Sequence, residues 1–162
     1  MKNKTVLFIT TSAVTAALYV ALTMVSSAFG LSSGAIQVRI SEALCILPCF
    51  TPAAIPGLFI GCIVANILSG CVLWDIILGS IATLIGAFGT YLLRKHRFLA
   101  VLPPILSNTI IVPPVLAFVY HVDMALPIIF LTVCAGEVIS CGILGELLYI
   151  PLKKVFEKIS HL

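Results

Sequence analysis

Charge is what this chain has least of. Only 9% of its 162 residues are charged, nine Lys or Arg against six Asp or Glu, while 61% are apolar. The mean hydropathy is +1.24. A soluble domain of this size needs far more polar surface to cover it, so ordinary soluble classes are excluded. Motifs of bond chemistry are missing too. No GxxxxGK segment occurs, so the chain has no P-loop and is not expected to hydrolyse ATP by itself. H-E-x-x-H does not occur, nor does a paired acidic metal motif. The six cysteines form no CxxC and stand apart from histidine at zinc spacing. Packing is their expected role, and no metal or other cofactor is implied. The basic residues are not interleaved with a reading surface, so nucleic acid is not an expected partner.

What remains is a series of apolar segments punctuated by three basic clusters: Lys2 and Lys4; Arg94, Lys95 and Arg97; Lys153, Lys154 and Lys158. Positive charge is retained on the cytoplasmic side of membrane proteins. With all three clusters inside, an even number of spans separates each pair. Four fit between Thr5 and Leu93, and two between Phe98 and Leu152. The expectation is an all-α membrane protein, a compact single domain over residues 1–162 with six transmembrane helices and both termini cytoplasmic. The expected place of such a chain is the cell membrane, as a multi-pass protein in contact with lipid. The lysines and apolar run at the start have the flavour of a signal peptide, but the run is long enough to be a retained first span.

The expected spans are Thr5–Val25, Val38–Cys49, Ala53–Leu68, Asp75–Leu93, Phe98–Tyr120 and Ala125–Leu152. The second is short for a hydrocarbon core that takes about 20 helical residues to cross. It is therefore expected to be buried, tilted or extended by irregular chain. An outside loop of about Ser26–Gln37 carries Gly30, Ser32, Ser33 and Gly34. Pro103-Pro104 and Pro113-Pro114 should kink or break the fifth span.

Charges that survive in or near a bilayer usually have a partner, a wet cavity or a ligand. Arg39 and Glu42 lie three residues apart, which on a helix gives them one face. They form either a structural ion pair or a ligand site. Ser41 beside them either caps the helix or contacts ligand. Glu137 lies mid-span between small residues, a ligand-site candidate by default. Asn108 sits between the proline pairs, where freed backbone groups can line a cavity. Asn66 lies near the outer end of its span. Asp75 reads better as a helix cap. Glu146, nearer the cytoplasmic end, either snorkels or pairs with a basic group. If Glu42, Asn66, Asn108 and Glu137 converge, they make an apolar pocket with a few polar groups, suited to a small organic ligand. Ala13, Ala17 and Ala21 form a flat stripe on the first helix, for packing within the chain or for an external helix.

The run Gln37-Val38-Arg39-Ile40-Ser41-Glu42-Ala43-Leu44, followed by Leu47-Pro48-Cys49-Phe50-Thr51-Pro52 through Cys62, and Ala65-Asn66, resembles the QueT family. These are substrate-binding S-components of energy-coupling factor (ECF) transporters. The resemblance implies an importer subunit for queuosine precursors or queuine, which are 7-deazaguanines. It implies a transmembrane coupling protein (T-component) and two cytoplasmic ATPases as partners, and no enzymatic activity in this chain. It also implies that the stripe of Ala13, Ala17 and Ala21 meets the coupling protein. A carboxylate can accept from the two donors on a 7-deazaguanine edge, and a second can neutralise the amine of an aminated precursor. Glu42 and Glu137 are the candidates, with Arg39, Asn66 and Asn108 beside them. Trp74, Phe29, Phe50 and Tyr120 are candidates to stack on the ring. The alternatives are an S-component for another vitamin such as riboflavin or thiamine, a stand-alone secondary carrier, and an intramembrane enzyme with a glutamate base.

Overall fold

The structure, a computed structural model, describes residues 3–31 and 37–160, the last four of these in backbone only. Ser32, Ser33 and Gly34 of the expected outside loop, and Lys2, lie outside the described residues. All regular structure among the described residues is helical. Helix α1 spans Lys4–Ala28 and is followed by a 3₁₀ helix over Ile40–Cys49. Then come α2 (Ala54–Leu68), α3 (Leu73–Leu92), α4 (Leu102–Phe118) and α5 (Leu126–Glu137). A π-helical stretch, Val138–Leu144, joins α5 without a break to α6 (Gly145–Ser160). Lys4–Ala28, Leu73–Leu92 and Leu126–Phe156 are long and apolar enough to cross a membrane, while Ile40–Cys49, Ala54–Leu68 and Leu102–Phe118 are shorter apolar helices.

Helices α1 and α3 are polar or small inside and large and apolar outside. On α1, Thr15, Tyr19, Thr23 and Ser26 are buried, while Val14, Leu18 and Val25 are exposed. On α3, Asp75, Gly79, Thr83, Gly86 and Thr90 are buried, with Ile77, Ile81, Ile85 and Phe88 outside. Lipid as solvent accounts for this: it rewards large apolar side chains on the exterior and leaves polar groups to pair with each other within. Small residues bring the helices close. A Cβ on Gly57 would lie 2.6 Å from the Ser12 carbonyl oxygen, and one on Gly61 2.9 Å from Tyr19 Cβ. This Gly57-Leu-Phe-Ile-Gly61 face is what lets α2 lie against α1.

The 3₁₀ helix is the central element, packed on α1, α3, α6 and the π stretch. Eight of its residues, Ser41–Pro48, are buried. Its geometry accounts for the short second segment. Ten residues at about 2.0 Å rise reach ~20 Å, against ~15 Å for an α-helix.

The fifth segment corrects an expectation. Pro103 and Pro104 open α4 instead of breaking it, and Pro113 and Pro114 lie within one continuous helix. A proline in the first turn loses no intrahelical bond, because that N–H has no partner there. At the end bearing Lys4, the α3–α4 turn and the C-terminal part of α6, packing is tight. Phe50 stacks on Phe156 at 5.3 Å between ring centroids and tilts against Tyr149 at 5.0 Å. Glu146 pairs there with Arg97, the second of the two options left by its position.

Candidate functional site

The opposite end of the bundle is polar and hollow. The chain enters it through the extended residues before the 3₁₀ helix. Two hydroxyls fix that entry: Ile40 N–H donates to Ser26 Oγ at 3.0 Å and Arg39 N–H to Ser140 Oγ at 3.2 Å. Gly136 is required beside it, since a Cβ there would lie 2.2 Å from the Gln37 carbonyl oxygen. Ser41 makes no cap; its hydroxyl oxygen lies 2.8 Å from Thr23 Oγ1.

Glu42 is the hub. It is 2% exposed, and both carboxylate oxygens are hydrogen-bonded. Tyr19 donates its hydroxyl to Oε1, while Cys45 Sγ at 3.1 Å and Asn108 Nδ2 at 3.4 Å approach Oε2. Side chains from α1, the 3₁₀ helix and α4 thus meet the Glu42 carboxylate, and Cys141 Sγ of the π stretch reaches the Glu42 backbone carbonyl at 3.4 Å. Cys141 lies 3.3 Å from Glu137 Oε2 as well, which ties the second glutamate to the same cluster. A buried carboxylate costs less when donors surround it, and Glu42 has three, from Tyr19, Cys45 and Asn108. Glu42, Cys45 and Cys141 hold atoms of metal-ligand type within 4.8 Å of one another. Internal hydrogen bonds account for all three.

Two cavities lie side by side. The smaller, about 20 Å³, is lined by Glu42, Glu137, Asn108 and Thr83, among others. The larger, about 340 Å³, is lined by Asn66, Asp75, Tyr120, Cys71 and Thr23, among others. Gln37, Arg39 and Val112 line both. The larger falls within the size range of small-molecule pockets.

Of the residues read from sequence, Glu42, Asn108 and Glu137 are brought together, Asn66 lies in the adjoining chamber, and Arg39 stands between. Arg39 and Glu42 do not pair. Arg39 sits at the N-cap in extended conformation, φ −103° and ψ 104°, so the helical three-residue spacing does not apply to it. Among the described residues its guanidinium makes no ion pair or hydrogen bond, although Tyr19, Asp75 and Glu42 act on it electrostatically. Trp74 is 58% exposed and lines neither cavity. Phe29 is 78% exposed, and Phe50 belongs to the tight end, so of the four aromatics only Tyr120 borders a chamber. Ala13, Ala17 and Ala21 are all exposed on the outer side of α1.

Two residues of the site were not singled out from sequence. Tyr19 carries the contact to Glu42, and its signal was the Thr15, Tyr19, Thr23, Ser26 series opposite the alanines. Asp75 was read as a cap, but α3 starts after Val72 and has no side-chain cap. Asp75 is 4% exposed and accepts the Tyr120 hydroxyl at 3.0 Å. Burial pushes that hydroxyl up to about 12, so it stays protonated and donates.

A buried carboxylate hub beside an open chamber is an arrangement suited to holding a small ligand. The sequence model of the QueT transporter family matches residues 9–154. The chain belongs to the QueT transporter family. That family is one of transporters, not enzymes. A curated relative, the queuosine precursor transporter QueT of Lactococcus lactis subsp. cremoris (strain MG1363), is 41% identical over 86 residues. The match covers 52% of this chain and about half of the relative, 50% of its length. No solved structure matches.

Proposed function

We propose that this chain is the substrate-binding S-component of an ECF-type importer, capturing queuosine precursors or queuine from outside. The observation that carries the reading is the chamber of about 340 Å³, walled in part by Asn66, Asp75 and Tyr120, adjoining the Glu42–Glu137 cavity. A 7-deazaguanine offers ring N–H and exocyclic amine donors beside a carbonyl acceptor, and aminated precursors add a cation. Carboxylates accept from the donors, while Asn66, Asn108 and Arg39 supply donors for the carbonyl.

The orientation follows from the charges. Lys4, the Arg94–Arg97 turn and Lys153 and Lys154 belong to the end of the bundle away from the chamber. With positive charge inside, the six helical rods span the membrane, both termini are cytoplasmic and the chamber opens outside. A transmembrane coupling protein meets the exposed stripe of Ala13, Ala17 and Ala21. Two cytoplasmic ATPases hydrolyse the ATP that drives release, which fits a chain without a P-loop.

Calorimetry of the purified chain in lipid nanodiscs tests the substrate, with saturable binding of queuine or a precursor as the expected result. Tight binding of riboflavin or thiamine and none of any 7-deazaguanine would replace it. Ala17→Trp tests the partner face. It should block assembly with the coupling protein and leave ligand affinity unchanged, and normal assembly removes the stripe from the interface.

A further inference from the structure

The two cavities differ too much in size to do the same job. The smaller, about 20 Å³, has room for about one water or a group of that size. A bicyclic base does not enter it. Only the larger chamber accommodates a ring. Two nearly buried polar side chains, Asp75 and Asn66, stand in its wall. Asp75 is 4% exposed, and the Tyr120 hydroxyl engages only Oδ2. Asn66 is 2% exposed, and its side chain makes a single contact, Nδ2 to Cys62 Sγ at 3.6 Å. Both side chains line the chamber and present oxygens that can accept from a ligand there.

We propose that the 7-deazaguanine ring is read in the larger chamber by Asp75, while the smaller cavity between Glu42 and Glu137 takes only the ammonium group of aminated ligands. This rests on the queuosine-precursor reading. Asp75 accepts from ring N–H and exocyclic amine together, as a carboxylate can and a neutral amide cannot. Tyr120 holds the carboxylate in place. Arg39, common to both cavities, donates to the ring carbonyl. The ring edge is thus recognised in one chamber and the side-chain amine in the other, so affinity for the base and preference for the aminated form are separable.

The test is calorimetry of the full chain in nanodiscs with two probes: 7-deazaguanine and 7-aminomethyl-7-deazaguanine. Wild type should bind the aminated probe more tightly. Asp75→Asn should weaken both probes alike, by about tenfold or more, since one charge-assisted acceptor is lost. Glu137→Gln should weaken the aminated probe only and shrink the difference between the two. Tyr120→Phe keeps the ring and removes the hydroxyl that holds Asp75, so it should weaken both probes alike at smaller size, an independent check should Asp75→Asn fail to fold. Unchanged affinity in both Asp75→Asn and Tyr120→Phe, or equal weakening of both probes by Glu137→Gln, overturns the subsite assignment alone. Absence of binding of either probe to wild type overturns the substrate reading together with it.

Discussion

Two arginines in this molecule face carboxylates, and they are treated in opposite ways. Arg97 closes on Glu146, and its guanidinium also lies 4.6 Å from the Tyr149 ring centroid and 5.4 Å from that of Phe98. Arg39 has Asp75 and Glu42 within electrostatic reach yet forms no ion pair among the described residues. The first arginine belongs to the tight end, where Phe50, Tyr149 and Phe156 fill the space. The second stands between two cavities. A closed pair of this kind holds helices together. A cation left open among buried carboxylates keeps both signs of charge available to a polar ligand.

The comparison breaks most severely at Glu42. Glu42→Ala removes the acceptor for Tyr19, Cys45 and Asn108 at once. Each buried donor left unmade costs about 1–3 kcal/mol, so thermal unfolding should show a loss of ~3 kcal/mol or more, with ligand binding abolished. A variant as stable as wild type would remove Glu42 from the centre of the hub.

The arginines come next, and they should behave as mirror images. Arg39→Ala should cost about tenfold or more in affinity for a 7-deazaguanine, with little change in stability. Arg97→Ala should leave affinity unchanged and lower stability by about 1 kcal/mol, a modest figure because the pair is partly solvated. Calorimetry and thermal unfolding of both variants decide the matter, and equal effects on affinity would erase the distinction between the two ends. Smallest of all, Trp74→Ala should leave affinity within about twofold of wild type, since the indole borders neither cavity. A larger drop would bring the outer face of α3 into the site.

The order of the helices was readable because apolar runs and basic clusters obey the bilayer over long stretches. α1, α2 and α3 begin and end within a few residues of the expected spans. The 3₁₀ and π stretches were not readable. Both are packed among several other elements, and no local pattern in the sequence encodes that. Glu42, Asn108 and Glu137 were found because polar groups in an apolar chain are few. Tyr19 was passed over because one tyrosine among alanines looks like packing. Asp75 was passed over because an aspartate near a helix start is so often a cap. The Arg39–Glu42 pair failed because the helix begins one residue too late to include the arginine.

The account's central claim is that ligand is held at the open end. Cys71 lines the larger chamber, and Cys49 belongs to the tight end of the 3₁₀ helix, where Glu146 acts on it. Burial, with the Asp75 carboxylate nearby, holds the Cys71 thiol above its usual range, so modification by a thiol reagent should quicken as pH rises. Site-resolved mass spectrometry of that modification, with and without queuine, is the most direct measurement. Slower modification of Cys71 in the presence of ligand, with Cys49 unaffected, is the predicted result. Unchanged modification of Cys71 at saturating ligand would contradict it.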